Sequence, residues 1–189
     1  GTPDGTRPGT YYAHLSDMTA MPKNQLEVIA YHEGLPGHHM QISIAQELKD
    51  IPKFRTQAGF TAYSEGWALY SEALATEIPG TYQDPYNRFG QLTSEIWRAI
   101  RLVVDTGLHS KGWTEQEAID FFMENSPEPL ESVVSEIQRY IVMPGQATSY
   151  KIGMLKIQEL RKRAEESLGE KFSLKTFHDK ICLLYTSDA

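Results

Sequence analysis

With 189 residues, 40% of them hydrophobic and 23% charged, the chain is long enough to bury a core and has the make-up of a globular domain, not a disordered one. A net charge of −7 and the lack of a basic aromatic patch exclude a general nucleic-acid surface, and no apolar run approaches the roughly eighteen residues of a membrane span. The lone Cys182 excludes an internal disulfide.

The first ten residues are rich in Gly, Thr and Pro and read as loop, and residues 10–15 have the aromatic and β-branched content of one short edge strand. His14 would flank a cleft if that strand formed its edge. Pro22 opens a helix over residues 23–48, interrupted at Pro36-Gly37. A second helix is expected over 54–78, stopping at Pro79-Gly80. Asp84 before Pro85 is an N-cap with proline at the first helical position, starting a long helix through Leu108. Thr114-Glu115-Gln116-Glu117 is a capping box for a short helix to Glu124. Ser126 and Pro127 start another that ends before Pro144-Gly145. A further helix follows to Leu168 with Gly169 as its terminator, and Ser173 caps a last one. The pattern is that of an all-α protein, with residues 1–180 forming a single helical region. After Lys180 the amphipathic pattern gives way, and residues 181–189 read as a non-native tail. The opening Gly1-Thr2-Pro3-Asp4-Gly5, without an initiator methionine, reads as the middle of a longer protein whose missing N-terminal part would be a partner of this region. Compartment is left open.

The chemistry concentrates in His32-Glu33-Gly34-Leu35-Pro36-Gly37-His38-His39, which holds three of the six histidines. Paired imidazoles beside a carboxylate are how a helix offers ligands to Zn²⁺ and a general base to a water. The familiar H-E-x-x-H spaces its histidines at i and i+4, about 6 Å along the axis and 40° around it. His38 stands at i+6, about 120° off the face of His32, and His39 at i+7 is roughly 10.5 Å away. An unbroken helix serves neither pair. Pro36, however, has no N–H for the carbonyl of His32, and with Gly37 it should open a bulge that absorbs about two residues. His38 then returns to i+4 geometry, and His39 is the alternative. A third ligand is needed, and 62–70 offers Glu65 on an apolar helical face, where a carboxylate is costly unless paired or metal-bound. Glu72, seven residues on, shares that face but lies roughly 10.5 Å away, so only one of the two can be a ligand. Glu77, near the helix end, reads as solvated. Trp67, Tyr70, Trp97 and Trp113 read as helix-interface fillers and the basic run 156–163 as a solvated face.

His-Glu-x-x-Pro-Gly-His-x-x-Gln, at His32 to Gln41, resembles the signature of the bacterial domain-of-unknown-function-885 family. The resemblance continues in Glu65-Gly66-Trp67-Ala68-Leu69-Tyr70-x-Glu72, Asp105-Thr106-Gly107-Leu108-His109, Arg139-Tyr140 and Pro144-Gly145-Gln146-Ala147-x-Ser149-Tyr150-Lys151-x-Gly153. That family in turn is similar to the helical gluzincin peptidases, which implies a gluzincin/neurolysin-like core with His32, His38 and Glu65 as zinc ligands and Glu33 as the base. The likeness also suggests donors for a tetrahedral oxyanion, with Tyr150 first, then His109 and Tyr140, and Arg139 or Arg101 to hold a substrate carboxylate. The implied activity is zinc-dependent hydrolysis of a peptide. A small non-peptide or aminoacyl amide is the alternative substrate, and a non-catalytic helical scaffold or binding module the rival class.

Overall fold

The computed structural model describes residues 1–2, 4–12, 22–48, 52, 54 and 59–183. Among them there is no strand, and the fold is all-helical. The expected strand is not formed over residues 10–12, and its remainder, with His14, lies outside the described residues. A 3-10 turn (Lys23–Gln25) leads into eight helices: α1 (Leu26–Glu33), α2 (His38–Glu47), α3 (Thr61–Leu74), α4 (Pro85–Ser110), α5 (Glu115–Asn125), α6 (Leu130–Val142), α7 (Gln146–Leu168) and α8 (Leu174–Leu183).

The helix starts follow local chemistry. Asp84 accepts a hydrogen bond from the Tyr86 amide at 2.8 Å, and Thr114 and Glu117 close a reciprocal capping box. Two starts fall later than the residue pattern suggests. Residues 59–60 are not helical, and α3 begins at Thr61. Helix α6 begins at Leu130, not at Ser126, because Pro129 disfavours a helical conformation at Glu128 and itself becomes the N-cap. At the other end, α8 runs three residues past Lys180, and Cys182, 3% exposed, packs with Trp67 and Tyr70. Residues 181–183 therefore belong to the fold, against the expected tail boundary; 184–189 lie outside the described residues.

Three apolar clusters hold the helices together. One joins Ile100 and Val104 of α4 to Phe122 of α5, Val133, Ile137 and Tyr140 of α6, and Ala147 at the start of α7. A second joins Trp67, Leu69 and Tyr70 of α3 to Tyr150, Met154 and Ile157 of α7 and to α8. The third is small: Val28, Ala75 and Tyr82. Among the described residues the α3–α7 pairing is the most extensive, and glycines on both sides make it close. A Cβ on Gly153 would run into the Ala62 carbonyl and come 2.8 Å from Gly66 Cα. This close crossing fixes α3, and with it Glu65. Outside the core, Arg161 departs from the solvated face expected for the 156–163 run. It grips both oxygens of Glu77 at 2.8 Å, so Glu77 is paired.

Candidate metal centre

The interruption at Pro36-Gly37 is complete. Helix α1 ends at Glu33 and α2 restarts at His38, with residues 34–37 non-helical and the Leu35–Pro36 peptide cis. A bulge within one continuous helix was the expectation. Pro36 removes its own N–H and also disfavours helical geometry at Leu35, so two consecutive positions are lost and the helix stops. Gly37 is required for close approach, since a Cβ there would collide with the carbonyls of His32 and Tyr31. The turn is held from both sides: the Met40 amide reaches back to the Gly34 carbonyl, and Trp67 Nε1 of α3 donates to the Pro36 carbonyl at 2.8 Å.

This turn swings His38 beside His32, with ring centroids 4.8 Å apart and nearly perpendicular. Glu65 of α3 meets both. Its Oε2 lies 3.1 Å from His38 Nε2 and 3.7 Å from His32 Nε2, and one donor atom from each of the three residues falls within 4.8 Å of the others. Zinc bonds of about 2.0–2.1 Å at tetrahedral angles put ligand atoms about 3.3 Å apart, and the two Glu65 distances lie close to that spacing. His39 is exposed and stands outside the group.

Glu72 is the residue to which the sequence assigned no role. It is fully buried, and its Oε1 takes a hydrogen bond from His32 Nδ1 at 2.6 Å while Ser94 Oγ donates to Oε2 at 2.6 Å. A carboxylate can only accept here, so Nδ1 carries a proton, and Nε2 is the nitrogen turned toward Glu65 and His38. Glu65 and Glu72, on one face of α3, thus meet opposite nitrogens of the same imidazole, and both find a place at the centre. The seven-residue spacing carried that signal. In the metal-free group, burial opposes the charge on His32, but Glu65 and Glu72 outweigh it and raise its pKa. Burial likewise opposes ionisation of Glu65, and hydrogen bonds from His32 and His38 hold its carboxyl far below the usual range.

Glu33 is exposed and, with His32, lines a cleft of ≈ 260 Å³. The other walls include Val28, Ile29, Trp97, Arg98 and Glu128. Trp97 thus lines the cleft besides packing at the α4 interface. Tyr150 stacks on His32 with centroids 6.2 Å apart, and its hydroxyl accepts from Gln146 Nε2 at 3.3 Å. The other expected substrate groups are placed further back. Arg101 is buried, donating from Nε to the Tyr140 hydroxyl and from Nη2 to Glu136, both at 2.8 Å, with its guanidinium over the Tyr150 ring. Arg139 contacts Glu136 and Gln146 at 3.4 Å. His109 Nε2 bonds the Tyr140 carbonyl at 2.9 Å, tying the end of α4 to α6. Arg98, absent from the sequence reading, is the arginine that reaches the cleft. It donates to Ser94 Oγ at 2.6 Å and faces Glu72 at 4.0 Å.

An all-helical domain with a His–His–Glu cluster, one member of which also lines a cleft, is the class this fold and site define. The chain belongs to the family of bacterial proteins of unknown function DUF885, whose profile matches residues 1–183. Among solved structures it is similar to a putative lipoprotein from Colwellia psychrerythraea, at 48% identity over 96% of this chain with a TM-score of 0.93. It is also similar to a putative lipoprotein of unknown function from Shewanella oneidensis, at 28% identity over 82% of the chain with a TM-score of 0.74. The chain spans 31% and 28% of the lengths of those two proteins. No curated protein matches.

Proposed function

We propose that this region is the catalytic part of a zinc-dependent hydrolase of gluzincin type that cleaves peptide bonds. The observation that carries the reading is the convergence of His32, His38 and Glu65 within 4.8 Å beside a cleft that Glu33 also lines. His32 and His38 would hold the metal through Nε2 and Glu65 through Oε2. A bound zinc supplies the Lewis acidity that activates a water and polarises the scissile carbonyl.

The chain's own groups do the rest. The Glu33 carboxylate takes the proton of the attacking water and returns it to the departing amine nitrogen, so amide and water give acid and amine. Glu72 fixes the His32 ring and its tautomer. Tyr150, stacked on His32, is the oxyanion donor of this scheme. His109 and Tyr140 are engaged with each other and with Arg101 and Trp97, and take no part in it.

Glu33→Gln should keep stoichiometric zinc and lower peptide hydrolysis by about 10²–10⁴-fold. Full activity in that variant refutes the role of Glu33. Purified protein that holds no zinc and gains no hydrolysis on its addition would leave the scaffold or binding-module reading instead.

A further inference from the structure

Glu128 stands apart from the metal cluster and is used by nothing in the scheme above. It sits between two prolines at the start of α6, is only 5% exposed, and lines the same cleft as His32 and Glu33. Gln25 Nε2 donates to its Oε1 at 2.9 Å. Its Oε2 has no hydrogen-bond partner and no cation within ion-pair distance among the described residues. Burial raises its pKa. A buried carboxylate without a counter-charge is costly unless something supplies one.

Arg98 shares the cleft and its charge offsets part of the cost of burying Glu128, but it makes no ion pair with that carboxylate. Its Nη1 is spent on Ser94, and its ion-pair partner is Glu72. The cleft charges are therefore Glu33 and Glu128 against one arginine drawn toward Glu72. Val28, Ile29 and Trp97 give the space between an apolar wall. At ≈ 260 Å³ the cleft is small for a ligand pocket, with room for about one amino-acid residue.

We propose that the Glu128 carboxylate receives the free ammonium group of a substrate's first residue, with an apolar side chain against Trp97 and Ile29. Gln25 orients the carboxylate, and the first amide then falls at the end of the cleft that holds His32 and Glu33. The site is that of an enzyme removing or recognising single N-terminal residues. This rests on the hydrolase reading for its chemistry, though not for the binding itself.

The test compares leucine p-nitroanilide with its N-acetyl derivative on the zinc-loaded full chain, in wild type and Glu128→Gln. Wild type should prefer the free amine by about tenfold or more in kcat/KM. The variant should lose about 10–100-fold on the free amine, mainly through KM, and stay within about twofold on the acetylated substrate. No preference in wild type, or equal loss on both substrates in the variant, overturns the proposal, the second by making Glu128 merely structural. Calorimetry with leucine amide and N-acetyl-leucine amide on the zinc-free protein separates the two readings. Amine-selective binding without any hydrolysis upholds the subsite and sinks the hydrolase; hydrolysis without amine selectivity does the reverse.

Discussion

At the residue scale, the pair His32–Glu72 decides how the candidate centre is built. A metal-binding imidazole needs one nitrogen bare and the other protonated and anchored, and the Glu72 carboxylate at 2.6 Å from Nδ1 imposes both. Ser94 holds the Glu72 carboxylate in turn, and the Tyr82 hydroxyl donates to the Glu72 main-chain carbonyl at 3.2 Å. Glu72→Gln keeps the shape but offers His32 an amide, which can hold either tautomer. It should weaken zinc by about 10–100-fold in a competition titration with a chromogenic chelator; unchanged affinity would mean that Glu72 does not orient the ligand. The same titration tests the register of the motif. His38→Ala should lose most of its zinc affinity and His39→Ala should keep it, because only His38 lies beside Glu65.

At the element scale, two devices bring separate helices to one point. The first is the break at residues 34–37, which turns α2 so that His38 faces back onto His32. The second is the glycine contact of α3 with α7, one residue from Glu65. Since the atoms a Cβ on Gly153 would meet belong to backbone, relief requires the helices to separate. Gly153→Ala should therefore cost about 2–3 kcal/mol, which for a chain of this size is a fall of roughly 5–10 °C in Tm. Zinc affinity should drop with it, as Glu65 moves with α3. A variant melting at the wild-type temperature with full affinity would show that the crossing tolerates a methyl group and does not set the centre.

At the scale of the whole molecule, the α4–α6 face is stabilised by a buried ion pair, Arg101 with Glu136 at 2.8 Å. Burial works against the charge on Glu136, but the Arg101 guanidinium and the Tyr140 hydroxyl outweigh it and depress its pKa below the ordinary 4.5. A depressed carboxylate contributes stability fully above its unfolded value, and that contribution is lost as pH falls through the folded value. Wild-type Tm should thus fall on acidification below about pH 4.5 more steeply than that of Glu136→Gln. The variant should already be less stable by about 1–3 kcal/mol at pH 7. Parallel pH profiles in a differential scanning experiment would remove this pair from the account.

Helix ends governed by caps and prolines were legible in the sequence, because Asp84 and Thr114 at helix starts and Gly169 at a helix stop act within a few residues of themselves. So was the cluster of His32, Glu33, His38 and Glu65 as candidates, since residue type and spacing limit what one helix can present. The sequence also placed Pro36 where it unlatches a helix, but the extent of the break needed the turn itself, with Trp67 and Gly37 holding it. Roles set by partners far away in the chain were out of reach. Glu72 became the support of His32 only once α1 and α3 packed together, and Arg101 was drawn into a buried pair 35 residues away. Glu128, which the sequence put in the first turn of a helix started at Ser126, had no role until the fold placed it in the cleft with His32. Local chemistry thus determined which residues were capable of a site; long-range packing decided which nitrogen, which oxygen and which neighbour each one faces.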